Sequence, residues 1–191
     1  MSSDTSRIHE AFTLRKGGAA IVRAIRPDDR DRLQAAFHEL DPESVYLRYF
    51  SYKHALSEVD LDRLCDPDFH ERVVLVVTIA GGPGAAGEVI VGAGGYVAHD
   101  TPEGARAAEV AFAVEEDVQG QGISGKLMAV LTDLARADGV DRFDAEVLVR
   151  NGPMLRVFER SGLPMATHRE QDGVVQVSLS LLNPSPVRAS R

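Results

Sequence analysis

A glycine-rich loop at residues 118–125 is the segment of this chain best suited to chemistry. It consists of Val118-Gln119-Gly120-Gln121-Gly122-Ile123-Ser124-Gly125, between an apolar strand pattern at residues 110–114 and a helical pattern. The N-terminus of a helix presents unpaired N–H groups and about half a unit of positive charge. Glycines let the backbone approach a ligand closely. The segment therefore predicts a site for a phosphate-bearing ligand.

The glycine spacing allows three interpretations of this loop. A P-loop requires Gly-x-x-x-x-Gly-Lys and then Ser or Thr; Gly120, Gly125 and Lys126 have that spacing, but Leu127 replaces the hydroxyl that holds magnesium. A dinucleotide-binding loop requires Gly-x-Gly-x-x-Gly, which Gly120, Gly122 and Gly125 match, although the strand before them does not come from a βαβ unit. The third alternative is a loop that caps a helix and binds no ligand.

Glu109 is the side chain best placed for acid–base chemistry. Side chains alternate between the two faces of a strand, so Glu109 shares a face with Ala111 and Ala113, and these small neighbours leave room for a substrate. The opposite face carries the bulky residues Val110, Phe112 and Val114. The alternative is a solvent-facing glutamate that pairs with Arg106 or Arg142.

Composition excludes several classes of protein. The 191 residues suit one domain, and the net charge of −8 disfavours binding to DNA or RNA. No apolar run is long enough to span a membrane and the first ten residues are polar, so we expect a cytoplasmic protein that binds no membrane. The only cysteine, Cys65, allows no intrachain disulfide and is typical of a buried residue in a reducing compartment. The six histidines lack metal-ligand spacing, so we expect no metal.

Hydrophobic periodicity predicts one mixed α/β domain over residues 19–182, with tails at residues 1–18 and 183–191. The predicted strands lie at residues 19–25, 72–80, 89–99, 107–114, 142–149 and 174–182. Helices are predicted after Pro27, over residues 43–50 and 57–65, from the loop to Gly139, and from Asn151 to Gly162. Three strands follow one another between helices, so the sheet should be partly antiparallel and partly parallel.

The loop and several flanking segments resemble one enzyme family. Gln119-x-x-Gly122-x-Ser124 is similar to the Gln/Arg-x-x-Gly-x-Gly/Ala signature of the GNAT N-acetyltransferases. The resemblance extends over residues 19–182 and is greatest to the bacterial protein-lysine acetyltransferases. It is carried by Ile25-Arg26-Pro27-Asp28-Asp29, Pro42-Glu43-Ser44, Leu47-Arg48-Tyr49-Phe50 and Glu109-Val110-Ala111-Phe112. It implies a central mixed sheet of about six to seven strands flanked by helices.

The resemblance also implies a cofactor site and a reaction. Acetyl-CoA would be the co-substrate, with its pyrophosphate on the loop and its pantetheine arm along the strand. Asn151 would lie beside that arm; the alternative is that Asn151 only caps its helix. The implied cofactor-binding residues are Phe112, Ala113, Val114, Gln119, Gly120, Gln121, Gly122, Ile123, Ser124, Gly125, Asn151 and Met154. Glu109 would be the general base that takes a proton from the acceptor amine.

Three residues depart from the family pattern. Gln121 stands where arginine or lysine is common, so a positive charge near the phosphates is missing. Ser124 replaces the usual glycine or alanine. Phe158 occupies the position, seven residues after Asn151, where many GNAT enzymes have a tyrosine as general acid. We expect somewhat weaker cofactor binding and a thiolate that leaves without that acid.

The expected reaction is direct acetyl transfer to a lysine of another protein, for example an acyl-CoA synthetase. The acidic turn at residues 115–117 is interpreted as a solvated loop that would attract a cationic lysine. One alternative is acetylation of a small-molecule amine. Another is a non-catalytic module that only binds acyl-CoA, which Gln121 and Phe158 would permit.

Overall fold

A single eight-stranded sheet forms the centre of the molecule. The computed structural model describes residues 7–43, 45, 54–82, 87–169 and 173–182. The strands are β1 His9–Thr13, β2 Ala19–Ala24, β3 Arg72–Ala80, β4 Glu88–Asp100, β5 Arg106–Val114, β6 Arg142–Leu148, β7 Met165–Arg169 and β8 Val174–Ser180. Their order across the sheet is β1-β2-β3-β4-β5-β6-β8-β7, and only the pairing of β5 with β6 is parallel. The predicted mixed α/β fold is confirmed. The eight strands are slightly more than the six to seven that the resemblance implies, and two more than the six located from the sequence.

Four helices with described boundaries pack on this sheet: α1 Arg30–His38, α2 Glu58–Cys65, α3 Ile123–Ala137 and α4 Gly152–Glu159. A short 3₁₀ turn, Pro27–Asp29, leads into α1. Ser57 caps α2, because its side chain accepts a hydrogen bond from the backbone N–H of Asp60. Apart from residues 43 and 45, the helix predicted over residues 43–50 lies outside the described residues, as does the predicted tail at residues 183–191.

The two additional strands, β1 and β7, lie at the edges of the sheet. β1 falls within residues 1–18, which the sequence assigned to a tail, and four of its five side chains are exposed. An edge strand hydrogen-bonds to one neighbour only and buries few side chains. Neither strand therefore has the alternation of apolar residues from which a strand is predicted.

The sheet separates two hydrophobic cores. Side chains of β3 alternate between them: Leu75 points into the core beneath α3 and α4, and Val76 points into the core beneath α1 and α2. Both residues are fully buried, which explains the uninterrupted apolar run of this strand. The larger core includes Leu131 of α3 and Phe158 of α4, and the smaller one includes Phe37 of α1.

β5 and β6 are paired over only part of their length. Their parallel ladder joins Ala107–Glu109 to Arg142–Asp144 and then ends. β5 continues to Val114 in contact with β4, while β6 continues to Leu148 in contact with β8. The two strands therefore separate beyond Glu109, and the sheet opens at this point.

Candidate functional site

A large cleft of about 1160 Å³ occupies the opening between β5 and β6. Its walls are the free part of β5, the glycine loop, the first turns of α3, the middle of β6 and the helix α4. All but one of the residues predicted to form a site line this cleft: Glu109, Phe112, Ala113, Val114, Gln119, Gly120, Gly122, Ile123, Ser124, Gly125, Asn151 and Met154. Residues that are distant in sequence thus meet where the sheet opens.

The glycine loop directs the N-terminus of α3 into the cleft. Gly122 precedes the helix with φ of 96°, a conformation that favours glycine. The first helical hydrogen bond joins the N–H of Lys126 to the carbonyl of Gly122 at 3.0 Å, so the N–H groups of residues 123–125 have no partner within the helix. Such a helix end binds anions, and phosphates in particular.

The backbone of β5 supplies further polar groups to the cleft. The Glu115 N–H donates to the Val91 carbonyl at 3.1 Å, so alternation turns the backbone groups of Val114 and Phe112 away from β4 and towards the gap. The Val114 carbonyl accepts a hydrogen bond from Gln119 Nε2 at 3.1 Å, which ties the loop to the end of the strand. By the same alternation Ala113 directs its backbone groups towards β4.

Glu109 lies at the point where the two strands part. Its side chain is exposed and lines the cleft. The two arginines that the sequence offered as partners bind other carboxylates, since Arg106 lies 3.7 Å from Asp100 and Arg142 lies 2.9 Å from Asp144. Among the described residues Glu109 therefore forms no ion pair, and its carboxylate faces the cleft.

A second, smaller cavity of about 210 Å³ lies in part along the same strand. Glu109, Ala111 and Ala113 line both cavities. Most of the remaining lining is apolar and includes Phe37, Leu40, Leu56, Leu64 and Ile90. β5 is therefore a shared wall between the two spaces, and its Glu109 face is accessible from each.

The acidic turn borders the smaller cavity through Glu115. Partial burial raises the pKa of Glu115 above its usual value of 4.5, and the negative charges of Asp117, Glu39 and Glu116 raise it further. The carboxylates thus repel one another, and a cation near them would relieve that repulsion.

Comparison with known proteins identifies this arrangement. Residues 33–163 match the Acetyltransferase (GNAT) family. The chain belongs to the GNAT acetyltransferase family. Acetyltransferase Pat of Mycolicibacterium smegmatis is 34% identical over 170 residues, which are 88% of this chain and 47% of that protein. The chain therefore spans about half the length of this relative.

Solved structures show the same GNAT fold. The GNAT domain of S. lividans PAT superimposes with a TM-score of 0.80 and 32% identity, over 93% of this chain and 99% of that one. The yncA protein of Salmonella typhimurium, solved with its cofactor acetyl-CoA, superimposes with a TM-score of 0.66 and 18% identity, over 90% of this chain and 99% of that one. At 18% identity, the likeness to yncA shows a shared fold and nothing further.

Gln121 is the predicted site residue that does not line the cleft of this GNAT domain. The residue is only 8% exposed, so the structure does not direct its side chain into the cleft, and its contact with the cofactor stays a prediction. Burial against neighbouring structure cannot be read from a loop motif. Arg15, from the turn between β1 and β2, lines the cleft instead and donates from Nη1 to the Gly120 carbonyl at 3.3 Å. No sequence motif signals Arg15, because it lies 105 residues from the loop.

Asn151 and Phe158 frame the far side of the GNAT cleft. The Asn151 side chain accepts a hydrogen bond from the Met154 N–H at 3.2 Å, so it caps α4 while also lining the cleft. Phe158 is 1% exposed, and its ring centroid lies 6.2 Å from that of Phe112. The phenylalanine therefore supplies a buried apolar surface and no proton.

Charged side chains also line the cleft. Five arginines contribute: Arg15, Arg136, Arg150, Arg156 and Arg160. Four carboxylates accompany them: Glu43, Glu109, Asp133 and Glu146. The cleft is thus locally less acidic than the chain as a whole, which suits a polyanionic ligand.

Two other kinds of feature are absent from the described residues. Across the described parts of the chain, no three His, Cys, Asp or Glu residues are grouped so as to hold a metal ion. Within the same residues, no helix is long and apolar enough to cross a membrane.

Proposed function

We infer that this GNAT domain transfers the acetyl group of acetyl-CoA directly to the side-chain amine of a lysine on another protein. The main support is the position of Glu109, which lies at the separation of β5 and β6 and lines both cavities. The larger cavity has the polar groups that a nucleotide cofactor requires. The smaller one has a mainly apolar lining, as the stem of a lysine requires.

The cofactor would lie along the large cleft. Its pyrophosphate would accept hydrogen bonds from the N–H groups of residues 123–125 at the start of α3. The pantetheine arm would pair with the gap-facing backbone of Phe112 and Val114 as an added strand would. Asn151 and Met154 line the same cleft on the opposite side. A backbone N–H of β5 would polarise the thioester carbonyl during attack.

Glu109 would act as the general base. A lysine amine has a pKa of about 10.4, so nearly all of it is protonated and unreactive at neutral pH. Removal of that proton, directly or through a water, leaves the lone pair free to attack the thioester carbon. The C–N bond forms, the nitrogen loses its second proton to water, the C–S bond breaks, and CoA leaves as a thiolate. A thiol has a pKa of about 8.5, so the thiolate leaves without an acid at Phe158 and takes its proton from water.

The acceptor would enter through the smaller cavity. Its apolar lining suits the methylene stem of lysine, and the acidic turn with Glu115 would attract the charged amine. The free thiol of Cys65 fits a site of action in the reducing cytoplasm.

Mass spectrometry of acceptor proteins tests this proposal. The domain is incubated with acetyl-CoA and either an acyl-CoA synthetase or a panel of polyamines, amino acids and aminoglycosides. We expect acetyl-lysine on the protein and no turnover of the free amines. Turnover of a free amine alone would show a small-molecule acetyltransferase. Tight CoA binding without transfer to any amine would show a non-catalytic sensor.

A further inference from the structure

The turn between β1 and β2 lies against the glycine loop. The Arg15 N–H donates to the Gln121 carbonyl at 3.2 Å, and Arg15 Nη1 donates to the Gly120 carbonyl at 3.3 Å. A Cβ at Gly122 would lie 3.7 Å from Arg15 Nε. The Arg15 side chain therefore lies against the loop, within van der Waals distance of a Cβ at Gly122.

The loop itself brings little positive charge to the cleft. Residues 119–125 contain no cation. Lys126, the next residue, is engaged by Glu10 of β1 at 2.7 Å. The Gln121 side chain is buried and does not line the cleft. A pyrophosphate bound by the backbone N–H groups would therefore find no counter-ion within the loop itself.

Arg15 can supply the positive charge that the loop lacks. It is exposed and lines the cleft, and within the described residues it forms no ion pair with a carboxylate. A guanidinium carries five N–H donors, of which the Gly120 carbonyl engages one. The remaining donors have the planar geometry that binds phosphate oxygens in pairs.

We propose that Arg15 binds the pyrophosphate of CoA and replaces the positive charge that the loop lacks at Gln121. The β1–β2 hairpin is then part of the cofactor site, and its ion pair between Glu10 and Lys126 holds it at the start of α3. This inference rests on the proposed function, because it requires the cleft to bind CoA.

Calorimetric titration with three ligands tests this role. CoA has a pyrophosphate and a 3′-phosphate, dephospho-CoA keeps only the pyrophosphate, and pantetheine has neither. We expect Arg15→Gln to weaken CoA and dephospho-CoA binding about 5-fold to 10-fold each, and to leave pantetheine binding unchanged. Arg15→Lys keeps the charge but loses the fork geometry, so it should weaken binding less. The salt dependence of CoA binding should also fall in Arg15→Gln.

Lys16→Gln is the matched control, because Lys16 is an exposed cation on the same turn that lines neither cavity. It should bind all three ligands as the wild type does. An equal loss of CoA affinity in Lys16→Gln would overturn the proposal, because any positive charge on the turn would then have the same effect. A loss of affinity in Arg15→Gln for CoA but not for dephospho-CoA would also overturn it and assign Arg15 to the 3′-phosphate. If Arg15→Gln lost affinity for pantetheine to the same extent as for CoA, the proposal would be overturned, because Arg15 would then only hold the loop in its conformation. If the wild type bound no CoA, the proposed function itself would fail.

Discussion

Glu109 pairs with Asp144 at the last rung of the parallel β5–β6 ladder, and beyond this pair the strands part. The carboxylate of Glu109 therefore lies at the vertex of the opening, where the two cavities share a wall. In the proposed reaction, a group at this vertex would reach a thioester in one cavity and an amine in the other. The sheet itself would then limit where acetyl transfer can occur.

Glu109→Gln should lower kcat by about 10²-fold to 10⁴-fold, because the proposed general base is lost and the shape of the side chain is kept. The affinity for acetyl-CoA should stay within about twofold, since the β5 backbone and the glycine loop are the groups proposed to bind the cofactor. In the variant, the rate should rise as the pH approaches the pKa of the acceptor amine. Steady-state kinetics across pH and direct cofactor titration measure these effects.

Glu103→Gln is the control for this variant, because Glu103 is an exposed glutamate in the turn before β5 that lines neither cavity. It should behave as the wild type does. If Glu109→Gln lost cofactor affinity and turnover to the same extent, Glu109 would have a structural role instead of a catalytic one.

Cys65→Ala should leave kcat within about twofold of the wild type. Cys65 is 2% exposed, belongs to the core beneath α1 and α2, and lines neither cavity. Burial raises the pKa of its thiol above the usual 9.0, which disfavours the reactive thiolate. Alkylation of the folded protein, followed by mass spectrometry, should modify Cys65 only after denaturant is added. Loss of turnover in a folded Cys65→Ala protein would point to an acetyl-cysteine intermediate and contradict direct transfer.

The sequence predicted the parts of the site that depend on local pattern. Strand alternation placed Glu109 on the open face of β5, and the glycine spacing located the start of α3. It did not predict where β5 and β6 part, because that depends on the pairing partners of each strand. The burial of Gln121 was missed because a loop motif carries no information on the packing around it. The approach of Arg15 was missed because it depends on a hairpin that is distant in sequence and poor in apolar residues.

Gly95→Ala should destabilise the fold by about 1–3 kcal/mol, the usual cost of overpacking. An added Cβ at Gly95 would collide with the carbonyl oxygen of Val73 on the neighbouring strand. Both atoms belong to a paired ladder, so neither can move aside easily. Urea denaturation measures the loss. Gly82→Ala is the control: a Cβ there meets nothing within 4 Å, so its stability should change by less than about 0.5 kcal/mol. Equal stability of the two variants would contradict this account.

Asp29→Asn should destabilise the protein by about 3 kcal/mol at neutral pH. Asp29 and Arg23 are both buried and form a bidentate pair, with 2.7 Å from Nη1 to Oδ2 and 2.8 Å from Nη2 to Oδ1. The variant leaves Arg23 with only Glu88, which lies 2.6 Å away, as a charged partner. Asp28→Asn, which removes an exposed acid next to it, should change stability by less than about 0.5 kcal/mol.

The destabilisation in Asp29→Asn should also depend on pH. Burial opposes ionisation of Asp29, but hydrogen bonds from Arg23, Arg26 and Arg32 outweigh it and hold the pKa below its usual 3.8. A lowered pKa in the folded state adds stability above the unfolded pKa, and this stability is lost as the pH falls through the folded value. The difference between wild type and Asp29→Asn should therefore be complete at pH 7 and shrink below about pH 4. Urea denaturation at several pH values measures it, and a difference that stayed constant into acid would show that the charge of Asp29 contributes nothing.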